Sequence, residues 1–533
     1  NKVHETNGAI TKETLGVSDV TERNEVLRWT RGVDVLDWDA DTDTSEVRTQ
    51  YEDPLHSVPH IVTYGGTNEN PDTTIFFGTN GGYLHAVDGA TGEEVFSFVP
   101  ETQLPKMLSR FNNTERFTHP YGVDGSPSSW VHDVDGDNQI EPNAGDFVYV
   151  YFGMRRGGNE YYALDVSDRD QPKVLWRIQG GTGDFAELGQ TWSTPLMTSI
   201  KQGTETKRVL VFGGGYDTAY DDASFTGSTS TGNAIFVVDA KTGERLWYAS
   251  STATTGYGQR MSDMQHPIPS DIAIIDLNGD GMADQLYAAD VNGQIFRFDI
   301  HENKTGGDWI QGGVIADLGG ESAPNNRRFF NTPDVSLTSI AKKQKLAIAI
   351  GSGSRANPLS RITQDRFYVI LQDGIYTAPD NYEVITHTDL IDQTSSITSL
   401  GVEDAGWYFD LPNSGEKVMS SSVTVAGKIL FTTYSPDSSA SSCNPVVGTG
   451  RAYVVHLTSS SAVADLDEDG SLEDTQDRSK TLASGNIPPS PKVLFPEDGA
   501  PVVLVGPEQP LEDVDLGLVD EWTQIYRRPE DPD

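Results

Sequence analysis

Asp276-Leu-Asn-Gly-Asp-Gly-Met-Ala-Asp284 places oxygen-bearing side chains at Asp276, Asn278, Asp280 and Asp284, the positions 1, 3, 5 and 9 of a calcium loop. Gly281 stands at the sixth position, where the chain must turn sharply, and the backbone carbonyl of Met282 supplies the seventh ligand position. Carboxylates this close repel one another unless a cation offsets them, so the chemistry expected here is binding of a hard divalent ion, calcium first. The glutamate that closes an EF-hand at position 12 is replaced by Tyr287, and no helix follows. Short apolar runs around Asn292-Gly293 read instead as a β-hairpin.

Two further loops repeat the spacing. Asp465, Asp467, Asp469, Ser471 and Glu473 form one, with Gly470 at the turn; Asp133, Asp135, Asp137, Gln139 and Glu141 form the other, with glycine at position 4 instead of 6. Both are candidate second and third metal sites, and Asp146 is either an additional ligand of the latter or a solvated strand start. Asp34, Asp37, Asp39, Asp41 and Asp43 look like a similar ladder, but no glycine occupies the turn, and binding is not expected there.

Other chemistry is sparse. The histidines are scattered, with no His-Glu-x-x-His pair, and no Ser/His/Asp arrangement has supporting spacing. The single cysteine, Cys443, excludes an internal disulfide or a cysteine metal cluster; with nothing basic beside it, it reads as inert. Arg155 and Arg156 are a candidate anionic-partner site, set against a structural role pairing with Asp124 or Asp165. The formal net charge of −41 argues against nucleic acid and against an anionic bilayer as general partners; it favours cation binding and solubility in salty surroundings, or reads in bulk as no more than a halophilic or marine solvation shell. No apolar stretch is long enough to span a membrane, and the polar start reads as that of a mature or excised piece.

The elements that must hold these loops are short strands. Ile61–Tyr64, Thr74–Phe77, Tyr83–Asp88 and Glu94–Phe98 make one group of four, and similar groups recur near 148–177, 208–247, 285–298, 346–370 and 407–455. The repeated Ala-x-Asp-x-x-Thr-Gly-Glu followed by an aromatic is a propeller-blade pattern, because a four-stranded sheet too small to bury both faces must stack on neighbours. Phe98, Trp176 and Trp247 are expected between blades. The expected fold is all-β, a modified propeller of seven blades over residues 51–533, preceded by a segment over 1–50 that packs on or leads into it, with a helix or capping segment near Asn24–Trp29. Segments 313–318 and 491–505 and a last strand at Gln524–Arg528 would complete the ring.

Several motifs together resemble the PilY/PilC-type pilus biogenesis and adhesion proteins of bacterial type IV pili. They are Asp53-Pro-Leu-His-Ser57, Phe77-Gly-Thr-Asn-Gly81 running to Asp88, Gly153-Met-Arg-Arg-Gly157 running to Asp165, Gly189–Pro195, Gly213–Tyr216 and the 276–284 loop. The resemblance implies a C-terminal propeller with quinoprotein-like repeats and a calcium loop, carried here by Asp276, Asn278, Asp280, Met282 and Asp284, that governs pilus retraction. It also implies export through the periplasm, association with the outer membrane, cell surface or pilus tip, and roles in pilus extension, twitching motility, adhesion and virulence. Minor pilins or other tip components, and a host-cell or abiotic surface, are the implied partners, without direct membrane insertion. Host-integrin binding through Arg-Gly-Asp is not expected, since Arg31-Gly32 continues with Val33. Two alternatives remain at this stage: a lectin-like adhesin whose calcium is only structural, and a quinoprotein-like dehydrogenase. The latter needs a stacking tryptophan, for which Trp130, Trp192 and Trp247 are candidates better explained as core, and often a vicinal cysteine pair that one cysteine cannot form.

Overall fold

The computed structural model describes residues 2–48, 51–114, 120–254, 256–302, 304, 306–437, 448–467, 469–495 and 501–511. Its contacts group into two compact units, one of Asn1–Phe185 with Gly189–Pro195, the other of Ala186–Leu188 with Leu196 onward. Cys443 and the strand expected at Gln524–Arg528 lie outside the described residues.

The first unit opens with helices Lys12–Leu15 and Val20–Thr30, capped by the side chains of Thr11 and Asp19. The helix expected near Asn24–Trp29 is therefore present and longer. Leu15, Val26, Leu27 and Trp29 share a small core with Tyr83, Leu104 and Met107, and the Tyr83 hydroxyl donates to the carbonyl of Thr30 at 2.9 Å. Two four-stranded antiparallel sheets follow. His60–Gly66, Pro71–Gly78, Leu84–Asp88 and Glu94–Phe98 make the first; Ser128–His132, Phe147–Gly153, Glu160–Asp165 and Lys173–Gln179 make the second. They share one core, including Val62, Phe76, Leu84, Val150 and Phe152, against which Phe98 packs.

The second unit repeats this order. Leu196–Gln202, Glu205–Gly213, Ala234–Asp239 and Arg245–Ser250 form the third sheet, and Ala273–Ile275, Gln285–Ala289, Gln294–Ile300 and Ile310–Asp317 the fourth. The fifth sheet holds Asp334–Ile340, Lys343–Gly351, Arg366–Gln372 and Gly406–Asp410, and the sixth is built on Lys428–Ser435, Thr449–His456 and Ser479–Thr481. Trp407–Phe409, expected in the sixth group, thus belongs to the fifth, where Tyr368 pairs with Tyr408. Ile310–Asp317 is the last strand of the fourth sheet, and 492–494 pairs with 502–504 as a separate two-stranded sheet.

Period-two alternation explains why these sheets must stack. Leu286 and Ala288 face a core shared with the third sheet, while Tyr287 and Ala289 on the same strand face a core shared with the fifth. Leu346, Ile348 and Ile350 share that second core; Ala347 and Ala349 turn to another with Ile429, Phe431 and Tyr453 of the sixth sheet. Central strands buried on both faces read as continuous apolar runs, which is what Val209–Phe212 and Leu346–Ile350 are.

The Ala-x-Asp-x-x-Thr-Gly-Glu motif is a hairpin turn. The Asp239 carboxylate accepts from the Lys241 N–H at 2.9 Å, the Thr242 N–H at 2.8 Å and the Thr242 hydroxyl at 3.0 Å, and Gly243 turns back at φ +71°. Asp88, Thr91 and Gly92 repeat it in the first sheet.

Trp247 is fully buried between the third and fourth sheets and donates its indole N–H to the Gly307 carbonyl at 3.3 Å. Trp247→Ala is expected to lower the unfolding free energy of this unit by about 3–5 kcal/mol, measured by urea denaturation.

Candidate metal centre

The 276–284 loop joins the first and second strands of the fourth sheet, with Asp276 directly after Ile275 and Asp284 directly before Gln285. Backbone amides hold it open for a cation. Both Asp276 oxygens accept, from Gly279 N–H at 2.7 Å and Gly281 N–H at 2.8 Å. Asn278 accepts from Asp280 N–H at 2.8 Å, Asp280 from Met282 N–H at 2.9 Å, and Asp284 from Leu277 N–H at 2.7 Å. Gly279 and Gly281 supply the left-handed turns at φ +76° and +82°. The loop is pinned to the third sheet by Ala283 N–H donating to Ser199 O at 2.8 Å. Burial pushes the Asp284 carboxyl up, and the charges of Asp276 and Asp280 push it the same way. Every donor offered is a hard oxygen, which suits calcium.

The 133 loop occupies the same place in the second sheet, between Ser128–His132 and Phe147–Gly153. Asp133 accepts from Gly136 and Asn138 N–H at 2.9 and 2.7 Å, and Asp137 from Gln139 N–H at 2.8 Å. The residue that corresponds to Asp284 is Asp146, one position before its strand. Its buried carboxylate accepts from Val134 N–H at 2.9 Å, as Asp284 does from Leu277, and from Glu141 N–H at 2.8 Å. Of the two readings the sequence left for Asp146, additional ligand or solvated strand start, its burial against the loop amides excludes a solvated position. The Gln139 side chain is engaged with the backbone of Gly66, leaving its carbonyl as its available ligand.

The 465 loop lies elsewhere, between the last two strands of the sixth sheet. Asp465 accepts from Gly470 N–H at 2.9 Å and Asp469 from Ser471 N–H at 2.9 Å, while the Ser471 hydroxyl donates to Asp469 and Glu473. Sequence reasoning missed Asp477. It is fully buried, accepts from Glu473 N–H at 2.7 Å through Oδ2, and leaves Oδ1 without a hydrogen bond.

The loops differ in how closely they gather charge. Among the described residues, carboxylate oxygens lie within 4.8 Å of one another in Asp133–Asp135–Asp137 and in Asp465–Asp467–Asp477, and also in Asp34–Asp39–Glu46 and Asp37–Asp39–Asp41. Asp276, Asp280 and Asp284 do not form such a triad, and the amide of Asn278 takes the place of a fourth charge.

Arg155 is buried and forms an ion pair with the fully buried Asp124 at 3.1 Å, which His56 also contacts at 2.8 Å. Asp165 instead accepts from Ser167. Arg155 and Arg156 both lie over the Trp192 ring, at 4.1 and 4.8 Å. A partner would meet a stacked aromatic–guanidinium surface there, centred on Arg156. Trp130 packs edge-on against Phe147 at 4.8 Å.

The family described as the PilY1 beta-propeller domain matches residues 42–392. The type IV pilus biogenesis factor PilY1 of Pseudomonas aeruginosa is 28% identical over 264 residues, covering 49% of this chain and 20% of its own length. A PilY1 homolog of Xylella fastidiosa is 26% identical over 419 residues, covering 73% of this chain and 26% of its own length. The chain thus spans about a quarter or less of these relatives. The crystal structure of the Pseudomonas aeruginosa PilY1 C-terminal domain superposes with a TM-score of 0.54 at 20% identity, covering 81% of this chain and 91% of that one. That likeness supports a propeller-like β-fold.

A Cβ added at Gly281 meets nothing within 4 Å, so only its φ of +82° opposes a side chain. Gly281→Ala is expected to cost about 1–2 kcal/mol of stability in chelator, read by chemical denaturation.

Proposed function

The chain belongs to the PilY1 β-propeller family, and on that footing we propose that it is a calcium-responsive domain of a type IV pilus assembly or tip-associated protein. It is not an enzyme: the curated relatives are named for pilus biogenesis, and one cysteine cannot make the vicinal pair of a quinoprotein dehydrogenase. The observation that carries the reading is the oxygen-lined loop fixed between two strands of the fourth sheet, inside the family-matched region.

In this reading Asp276, Asn278, Asp280, the Met282 carbonyl and Asp284 ligate calcium. The ion supplies the positive charge that three carboxylates otherwise lack, and ligation of several oxygens offsets the entropy of ordering the loop. Bound calcium stabilises whichever loop conformation it selects, by RT ln(1 + [Ca²⁺]/Kd). A pilus component that recognises only that conformation is then coupled to calcium, which is how the domain would set the balance of pilus extension and retraction, twitching motility and adhesion. Minor pilins or the pilus tip are the proposed partners, with a host-cell or abiotic surface as the target of adhesion.

The site of action proposed is extracellular, at the pilus tip, cell surface or outer membrane. No helix among the described residues is long and apolar enough to cross a bilayer. The 133 and 465 loops, with Asp146 and Asp477 as closing carboxylates, are proposed as additional calcium sites. The finer fold reading, seven blades over 51–533 behind a segment over 1–50, belongs to this proposal and is supported by the recurring up-and-down strand order.

Asp280→Ala is expected to remove one calcium from the calorimetric stoichiometry and part of the calcium-dependent rise in melting temperature. In the full-length protein it is expected to abolish calcium-dependent motility. Unchanged motility alongside lost calcium would leave the ion a structural role only, and unchanged calcium binding would refute the site.

A further inference from the structure

Sequence spacing counts against a metal site before the first sheet, because the ladder Asp37-x-Asp39-x-Asp41 has no glycine to turn on. The backbone turns nevertheless. Ala40 and Thr42, at positions 4 and 6, adopt φ +59° and +77°, the left-handed conformations that Gly279 and Gly281 adopt at +76° and +82°. The hydrogen bonds also agree. Asp37 accepts from Thr42 N–H at 3.1 Å as Asp276 does from Gly281, and Asp41 accepts from Asp43 N–H at 2.7 Å as Asp280 does from Met282.

The independent observation is Asp34. It is only 5% exposed, its Oδ2 accepts from Trp38 N–H at 2.9 Å, and its Oδ1 has no hydrogen-bond partner. A buried carboxylate oxygen with no partner is costly unless something electropositive faces it. What surrounds it is more negative charge. Its carboxylate lies within 4.8 Å of those of Asp39 and Glu46, and Asp39 in turn lies within 4.8 Å of Asp37 and Asp41. Asp39 is therefore common to two carboxylate triads.

The chain clamps this cluster at its base. Val33 bridges Val47, Asp34 N–H donates to Glu46 O at 3.0 Å, and Arg48 N–H donates to Gly32 O at 2.6 Å. Arg28 is directed onto the Thr44 carbonyl at 2.9 Å and Arg48 over the Trp29 ring at 4.1 Å. We infer that these carboxylates form a calcium site, with Asp34, Asp39 and Glu46 as its inner ligands, closed by the buried Asp34, and Asp37 and Asp41 as outer ones reached through water. Carboxylates that bind through both oxygens, with water, complete the six to eight ligands calcium takes.

Trp38 stands between two of the ligands and is 54% exposed, which makes it a reporter for terbium(III) placed in the loop. On the whole chain, calorimetry would give the calcium stoichiometry and indole-sensitised terbium emission would report this loop. Asp39→Asn, at an exposed position that leaves the fold intact, is expected to lower the calcium stoichiometry by one and remove the Trp38-dependent emission. Trp38→Phe is expected to remove that emission without changing the stoichiometry. Asp43→Asn is the charge control, because Asp43 is turned to Ser45 and lies in neither triad; it is expected to change neither readout. Half-saturation is expected at about 10⁻⁴ to 10⁻³ M calcium. Unchanged stoichiometry in Asp39→Asn, or equal losses in Asp39→Asn and Asp43→Asn, would overturn the assignment. Loss of the 276 site leaves this test unaffected, since only the Trp38-dependent signal reads this loop.

Discussion

Like charges held a few ångström apart must be separated, protonated or bridged by a cation, and that constraint organises the loops of this protein. In each loop the first aspartate does not repel the rest freely, because its carboxylate is tied to backbone N–H groups further along the turn, as Asp276 is to Gly279 and Gly281. Those bonds aim the neighbouring oxygens inward. The resulting geometry is stable as a fold and unfavourable as an electrostatic arrangement, and a divalent ion resolves the conflict.

The sheets supply the rigidity on which this depends. A loop whose ends are fixed by adjacent strands of one antiparallel sheet has less entropy to lose on ordering than one with free ends. Asp276 follows one strand and Asp284 precedes the next, so ordering at a bound ion would reach strand ends buried on both faces. Ala283, tied to Ser199, extends the same restraint to the third sheet. Propeller-like stacking is thus more than a scaffold: it makes a nine-residue loop a firm mechanical element.

Much of this was legible in the sequence, for identifiable reasons. Asp276, Asn278, Asp280 and Gly281 are local, and local spacing determines a tight loop. The Thr-Gly hairpins and the apolar runs of the central strands are local signals as well. What was hidden is whatever the return of the chain decides. Asp477 and Glu46 join their carboxylate groups from beyond the counted positions, and the burial of Asp146 and Asp34, both visible in the sequence, is set by the fold. Glycine was also too strict a test, since Thr42 and Ala40 turn left-handed where the surrounding bonds hold them. Trp407 was placed in the wrong sheet because a long connection separates it from Arg366–Gln372, and pairing across a long loop leaves no periodic mark.

Calcium held in the 276–284 loop by the oxygens that its hydrogen bonds arrange would be seen by anomalous diffraction from crystals grown with calcium. The expected result is an anomalous peak within ligand distance, about 2.3–2.6 Å, of oxygens from Asp276, Asn278, Asp280, Met282 and Asp284. An ordered loop with no peak at millimolar calcium would rule the site out.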